Sequence, residues 1–367
     1  MADQNFKSEP NRIQYLNEQK AQGRYLLGVF PALYPREILW ALNILPVEIW
    51  DPPGTAVLAN KHLQPYICPI VRNGLELILR GETDIVDGFL FPHTCDSLQN
   101  LASIVNDHLE LNKPVFSFYH PKMPYTAATQ KFYRAQLEIL INQLTSIFSP
   151  IDTDRLTECL RLSHEIGRQL NKIFKLQRTN QLSFSNSEYY PILRQGEFLW
   201  PEDYLKLLNE ITAGETIPSK PDTAIVLSGI LPNPVEILSL LDKLNVKVAA
   251  DDLLNNQRRF YLPQSKFSNP LDALTEAYLK RPPCSTIGTP ISERLNHLIK
   301  LAIGSKAKGV VFLIPKFCEP ELFDLPQLKQ GLQKAGISSL VIETELNCGL
   351  TGQLTTRLEA FIEMLGN

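Results

Sequence analysis

Cysteine is scarce in this chain, with six among 367 residues. That density excludes the disulfide-stapled scaffold of a small secreted protein and leaves thiols that stay free in a reducing compartment. An excess of charge of one sign is also lacking. The 36 basic and 39 acidic residues leave a formal net charge of −3, so neither a nucleic-acid nor a membrane partner is expected. No apolar run approaches the ~18–20 residues of a membrane span. The N-terminus, MADQNFKSEPNRIQ, lacks the basic-then-apolar layout of a signal peptide, and a cytoplasmic location is the expectation. P-loop, GxGxxG and HExxH patterns are missing, which places nucleotide hydrolysis and zinc chemistry elsewhere. A CxxCxxC run is missing too, which excludes a ferredoxin-type site.

What is present reads as an ordinary globular chain, 44% apolar and 20% charged, long enough for two or three cores. Many of its 27 prolines fall where strands hand over to helices. Residues 1–24 read as a polar helical lead-in. From 25 to 125, short apolar strands (Leu26–Leu33, Pro46–Asp51, Ile85–Phe91, Pro114–Tyr119) alternate with helices (Pro35–Leu45, Ile70–Arg80, Asp96–Leu109). Such alternation implies βαβ units and a parallel sheet. From 126 to 215 the period becomes 3.6, with stripes Leu137–Ile147 and Leu156–Ile173 marking two long helices before a polar stretch. From 216 to 367 the alternation resumes: strands Ala224–Leu227, Val246–Ala250, Val310–Ile314 and Leu340–Thr344, with a helix opened by Pro326 before the last strand. The expected fold is α/β, two duplicated Rossmann/flavodoxin-like parallel-sheet lobes joined by a helical segment.

The duplication is written in the residues. Pro35-Arg-Glu37-Ile-Leu matches Pro234-Val-Glu236-Ile-Leu, each between two strands. The strand running from Gly88 to Pro92-His-Thr-Cys95-Asp96 matches the one from Gly309 to Pro315-Lys-Phe-Cys318-Glu319. Arg72 lies 20 residues before Pro92 and Arg294 lies 21 before Pro315, while Cys68 and Cys284 precede Cys95 and Cys318 by 27 and 34. Shared features in one order argue for an internal repeat.

Ligands of parallel sheets bind outside the carboxyl ends of the strands, where right-handed crossovers gather every βα turn. Cys95 and Cys318 stand at such ends, and Cys68 stands at a helix N-terminus, which suits a thiolate. If the lobes face each other, these cysteines converge. Three thiolates can hold an iron–sulfur cluster and leave one iron open. The plainer reading, inert core cysteines, weighs equally for Cys95 and Cys318 on position alone. It is preferred for Cys159, which lies on a helical stripe. Cys284 is either a fourth ligand or a loop residue, and Cys348 is ambiguous.

These residues resemble the 2-hydroxyacyl-CoA dehydratase and benzoyl-CoA reductase subunit family, from about Gly28 to the C-terminus. The marks are Pro35-x-Glu37, Cys68-x-x-x-Arg72-Asn73, Phe91-Pro-His93-Thr-Cys95-Asp96, Asp251-Asp252 with Arg258, Pro283-Cys284, Lys316-Phe-Cys318, and Gly352-Gln-x-x-Thr356-Arg357-x-Glu359. The family usually has a glycine between the aspartates and the arginine, where this chain has Asn256. The resemblance implies a [4Fe-4S] cluster on Cys68, Cys95 and Cys318, with Cys284 and Cys348 raising a double-cubane alternative. It also implies a homologous sister subunit or a homodimer, an acyl-CoA substrate, and an ATP-hydrolysing iron–sulfur activator. The electron delivered would reduce the thioester to a ketyl radical anion that expels hydroxide, because the β-proton is too weakly acidic for simple elimination.

His93, Lys316 and Arg72 are the candidate catalytic residues, able to hydrogen-bond cluster sulfurs or a thioester oxygen. The plainer reading, a loop side chain facing solvent, is preferred for His93 and Lys316, and Arg72 reads equally as a cap for neighbouring carbonyls. Asp251 and Asp252 read as a base, a cation site or a cap. Arg258 and Arg259 are candidates for CoA phosphates. The alternatives to an acyl-CoA enzyme are an electron-transfer or cluster-scaffold protein on the same fold, and a small-molecule binding module with inert cysteines.

Overall fold

A computed structural model describes residues 12–214, 221–259 and 269–366. After helix α1 (Arg12–Ala21), the first lobe runs β1 (Tyr25–Val29), α2 (Arg36–Ala41), β2 (Ile44–Glu48), α3 (Pro69–Leu79), β3 (Gly88–Pro92), α4 (Asp96–Ser103) and β4 (Val115–Phe118). Four helices follow: α5 (Ala127–Thr145), α6 (Thr153–Arg178), α7 (Asn186–Arg194) and α8 (Pro201–Ala213). The second lobe runs β5 (Thr223–Gly229), α9 (Glu236–Lys243), β6 (Val246–Leu253), α10 (Pro270–Leu279), α11 (Ile291–Gly304), β7 (Gly309–Pro315), α12 (Glu319–Lys334), β8 (Ser338–Thr344) and α13 (Gly352–Gly366). Residues 1–11, at the head of the lead-in, lie outside the described residues.

Both sheets are four-stranded and all parallel, in the orders β2-β1-β3-β4 and β6-β5-β7-β8. The orders are the same, so the duplication extends to topology. Every residue of β3, β6 and β7 is buried. Helices cover both faces of a parallel sheet, and this is why β3 and β7 read as unbroken apolar runs, while β6 buries Lys247, Asp251 and Asp252 as well. In each sheet the crossovers diverge between the first and third strands, and that switch point is where the fold opens a crevice.

Helix α6 ties the lobes together. Ser163 donates to Glu37 Oε1 on α2 at 2.6 Å, and Gln177 donates to the Val248 carbonyl of β6 at 2.9 Å. One long helix therefore bonds to both sheets' layers and fixes their separation.

Several boundaries differ from the sequence expectation. The first strand ends at Val29 rather than Leu33, because Ala32 and Leu33 take φ of 74° and 64° and turn the chain. Helix α12 opens at Glu319 and carries Pro326 inside it, not at its start. Pro320 and two acids in its first turn supply the start signal. The polar stretch after the long helices contains α7 and α8, and α7 is announced by a capping box of Ser185 and Glu188. Strand β6 extends to Leu253, so Asp251 and Asp252 lie within a strand rather than beyond it.

Gly229 shows how tightly the switch point is packed. Its φ is +133°, and an added Cβ would stand 2.0 Å from the Leu313 carbonyl oxygen. Gly229→Ala is expected to destabilise the chain by about 3 kcal/mol or more through backbone strain and overlap. Gly304, with open space around it, should tolerate alanine without loss. Urea unfolding of both variants checks this.

Candidate functional site

Cys68, Cys95 and Cys318 are each the N-cap residue of a helix: α3, α4 and α12. Cys95 and Cys318 follow β3 and β7, so they occupy the same switch-point position in the two lobes. All three thiols are free. Cys68 and Cys318 are buried and Cys95 nearly so, and three positive helix ends surround them.

The thiols act on one another across the lobes. A hydrogen bond from Cys318 lowers the pKa of Cys68 against the opposing effect of burial, and the N–H groups of Ile70 and Val71 and the Arg72 charge assist. Cys318 is pushed well above its ordinary value by that same contact and by burial. Burial pushes Cys95 up to about 12, with the Cys68 charge adding to it against the N–H groups of Leu98 and Ser97. One thiolate is favoured here and two more are resisted. A shared cationic centre removes that resistance.

Among the described residues no three His, Cys, Asp or Glu side chains are set to hold a single metal ion. A cubane places each thiolate on its own iron and needs wider spacing than a lone ion does. The all-sulfur donor set, the free thiols and the helix N-termini fit such a group and do not fit a hard cation.

The candidate catalytic residues lie around this trio. His93 precedes Cys95 by two residues; its Nε2 is buried without a hydrogen-bond partner, and the nearest carboxylate, Asp96, is 3.7 Å away. Arg72, on α3, reaches across the lobes to Glu345 at 2.6 Å, and Lys316 approaches the other oxygen of Glu345 at 3.8 Å. Glu345 carried no signal in the sequence, because its partner Arg72 is 273 residues away.

Cys284 belongs to a different constellation. Arg258 Nη1 lies 3.7 Å from its sulfur, and Thr286 Oγ1 lies at 3.1 Å. Arg258 forks onto both oxygens of Asp252 at 2.8 Å and reaches Glu321 at 2.5 Å. Arg294 joins Glu321 and Asp324. Burial alone would raise Glu321, but Arg258 and Arg294 outweigh it and hold the carboxyl far below the usual range.

This network corrects the reading of Arg258 and Arg259 as CoA-phosphate ligands. Arg258 is buried within it, and Arg259 is buried against Glu48. Asp252 is committed to Arg258, and Asp251 accepts from the N–H groups of Leu253 and Gln257 and from Asn256. Both aspartates are structural. Asn256 closes the turn through that side-chain bond, without a positive φ. Cys159 is fully buried on α6 and Cys348 is exposed in a turn.

Between the lobes lies a cavity of about 20 Å³, lined by Tyr34, Arg36, Glu48, Trp50, Arg259 and Arg281 among others. Glu48 fills its wall, accepting from Tyr34 and Trp50 at 2.7 Å and from Arg259. That volume suits one water molecule.

Residues 31–365 match the sequence model of the family described as 2-hydroxyglutaryl-CoA dehydratase, D-component. The chain is 26% identical over 361 residues to the (R)-phenyllactyl-CoA dehydratase beta subunit of Clostridium sporogenes, covering 97% of this chain and 96% of that one. It is 26% identical over 359 residues to the (R)-2-hydroxyglutaryl-CoA dehydratase subunit beta of Acidaminococcus fermentans, covering 95% of each. A benzoyl-CoA reductase subunit of Thauera aromatica is 24% identical over 319 residues, covering 83% of this chain and 81% of that one.

The buried network makes its own prediction. Arg258→Met takes the guanidinium from Asp252, leaving it the Ser228 hydroxyl, and leaves Glu321 with Arg294 and the Ser285 hydroxyl; the expected loss is about 3–5 kcal/mol. Arg258→Lys, which keeps the charge and loses the fork, should fall between Met and the parent in a urea titration.

Proposed function

The chain belongs to the 2-hydroxyglutaryl-CoA dehydratase D-component family, and from that premise we propose that it is the cluster-bearing subunit of an enzyme acting on an acyl-CoA. As a member of that family it is an enzyme subunit of lyase or oxidoreductase type. The carrying observation is the trio itself: three free cysteines, two from one lobe and one from the other, each at a helix N-terminus and each altering the ionisation of another.

In this reading Cys68, Cys95 and Cys318 hold a [4Fe-4S] cluster, whose chemistry is delivery of a low-potential electron to a thioester. The chain's own residues set the surroundings. The N–H groups of Ile70, Val71, Ser97 and Leu98 stabilise negative sulfur. The imidazole of His93 is positioned to hydrogen-bond a group entering the site, and Arg72 and Lys316, both paired with Glu345, stand beside it. The lobes exclude water from two of the three thiols, which protects a strongly reducing group. The electron would come from an ATP-hydrolysing iron–sulfur activator, since nothing in the chain carries a nucleotide motif. A homologous sister subunit or a second copy would complete the enzyme. Among the described residues no helix is long and apolar enough to cross a membrane.

A second reading is favoured by one observation. Among the described residues, the cavity lined by Glu48, Trp50 and Arg259 holds about 20 Å³, too little for an acyl chain. An electron-relay role, with the acyl-CoA seated on the sister subunit, would need no larger space.

Cysteine variants isolated without oxygen test the proposal. Cys68→Ser, Cys95→Ser and Cys318→Ser should each lose iron relative to the parent, while Cys159→Ser keeps it. Equal iron in all four variants would remove the trio from the account. Equilibrium dialysis with a 2-hydroxyacyl-CoA then separates the two readings: uptake by this chain alone favours the first, and uptake only with the sister subunit favours the second.

A further inference from the structure

Glu345 follows the last residue of β8 and carries one charged partner on each carboxylate oxygen. Arg72 Nη2 meets Oε2 at 2.6 Å and Lys316 Nζ stands 3.8 Å from Oε1. Arg72 belongs to the first lobe, four residues after Cys68. Lys316 belongs to the second lobe, two residues before Cys318, and its N–H is fixed to the Thr344 carbonyl at 2.9 Å. A ring contact between Tyr66 and Phe317, 5.8 Å between centroids, and a bond from Asn347 Nδ2 to the Pro52 carbonyl at 2.6 Å cross the same seam. The three charged side chains are 18%, 27% and 46% exposed for Arg72, Glu345 and Lys316, so the bridge can part without unfolding either lobe.

We propose that Glu345 is a positioning residue that ties Arg72 of one lobe to Lys316 of the other over the cysteine trio, closing the seam and masking both cations. The closing half stands on the contacts alone; the masking half rests on the cluster reading. A cation near a thiolate-bound group favours its more reduced, more negative form, and a carboxylate paired with that cation opposes this. Glu345 therefore holds the site closed and keeps it strongly reducing.

The closing half is tested on the full-length, iron-free chain by iodoacetamide labelling, mapped by mass spectrometry, with exposed Cys348 as the internal reference. In Glu345→Gln, Cys68 and Cys318 should label about tenfold faster than in the parent, the scale of a partly buried ion-pair network. Salt at about 1 M should speed labelling in the parent and not in the variant. Labelling of Cys68 and Cys318 at the parent rate overturns closure.

The masking half is tested on the iron-loaded chain by an EPR-monitored reductive titration. Glu345→Gln should shift the reduction potential to more positive values, and Arg72→Gln to more negative ones. Shifts of the same sign, or none, overturn masking. A chain that never takes up iron defeats the cluster reading and masking with it, and leaves closure to be decided by the labelling.

Discussion

Three thiols cannot all ionise in one largely dry pocket unless a cation shares it. Cys68 is eased toward the thiolate by its neighbour, while Cys95 and Cys318 are pushed up. Left as thiols, the trio makes poor use of three helix N-termini. Around the proposed cluster the same arrangement would become complementary: each sulfur would take its own iron, and each helix end would face negative charge. The architecture suits that proposal. Right-handed βα crossovers send Cys95 and Cys318 to equivalent rims, and α6 holds those rims at a fixed separation through Ser163 and Gln177.

The lobes share a topology and divide the work. Arg72 and Arg294 are each the fourth residue of equivalent helices, α3 and α11. Arg294 is sealed in the ion network with Glu321 and Arg258, whereas Arg72 reaches over the seam to Glu345. Cys68 belongs to the trio, while Cys284, the nearest cysteine before Cys318, sits against Arg258 and Thr286. Only one lobe thus supplies a second cysteine. The other spends the matching space on a buried ion cluster that braces the first turn of α12, and with it Cys318.

The parallel sheets and the placement of Cys95 and Cys318 were legible because apolar runs and proline punctuation repeat in both halves. Cys68 at a helix start followed from the amphipathic run Ile70–Arg80 just after it. Helices α7 and α8 were missed because their polar faces hide the period, although Ser185 and Glu188 carry a capping signal. Pro326 misled, since a proline usually opens a helix and here lies inside one. Arg258 and Arg259 look like surface cations in a linear reading. Only the fold shows that Asp252, Glu321 and Glu48 bury them. Glu345 was beyond reach, because a single glutamate has no local pattern and its partners come from both lobes.

Iron and acid-labile sulfide measured on the chain purified without oxygen test the central claim most directly. The expected result is about four of each per chain, as a single cubane requires. A colourless protein without iron, which also refuses iron and sulfide on anaerobic reconstitution, would contradict it.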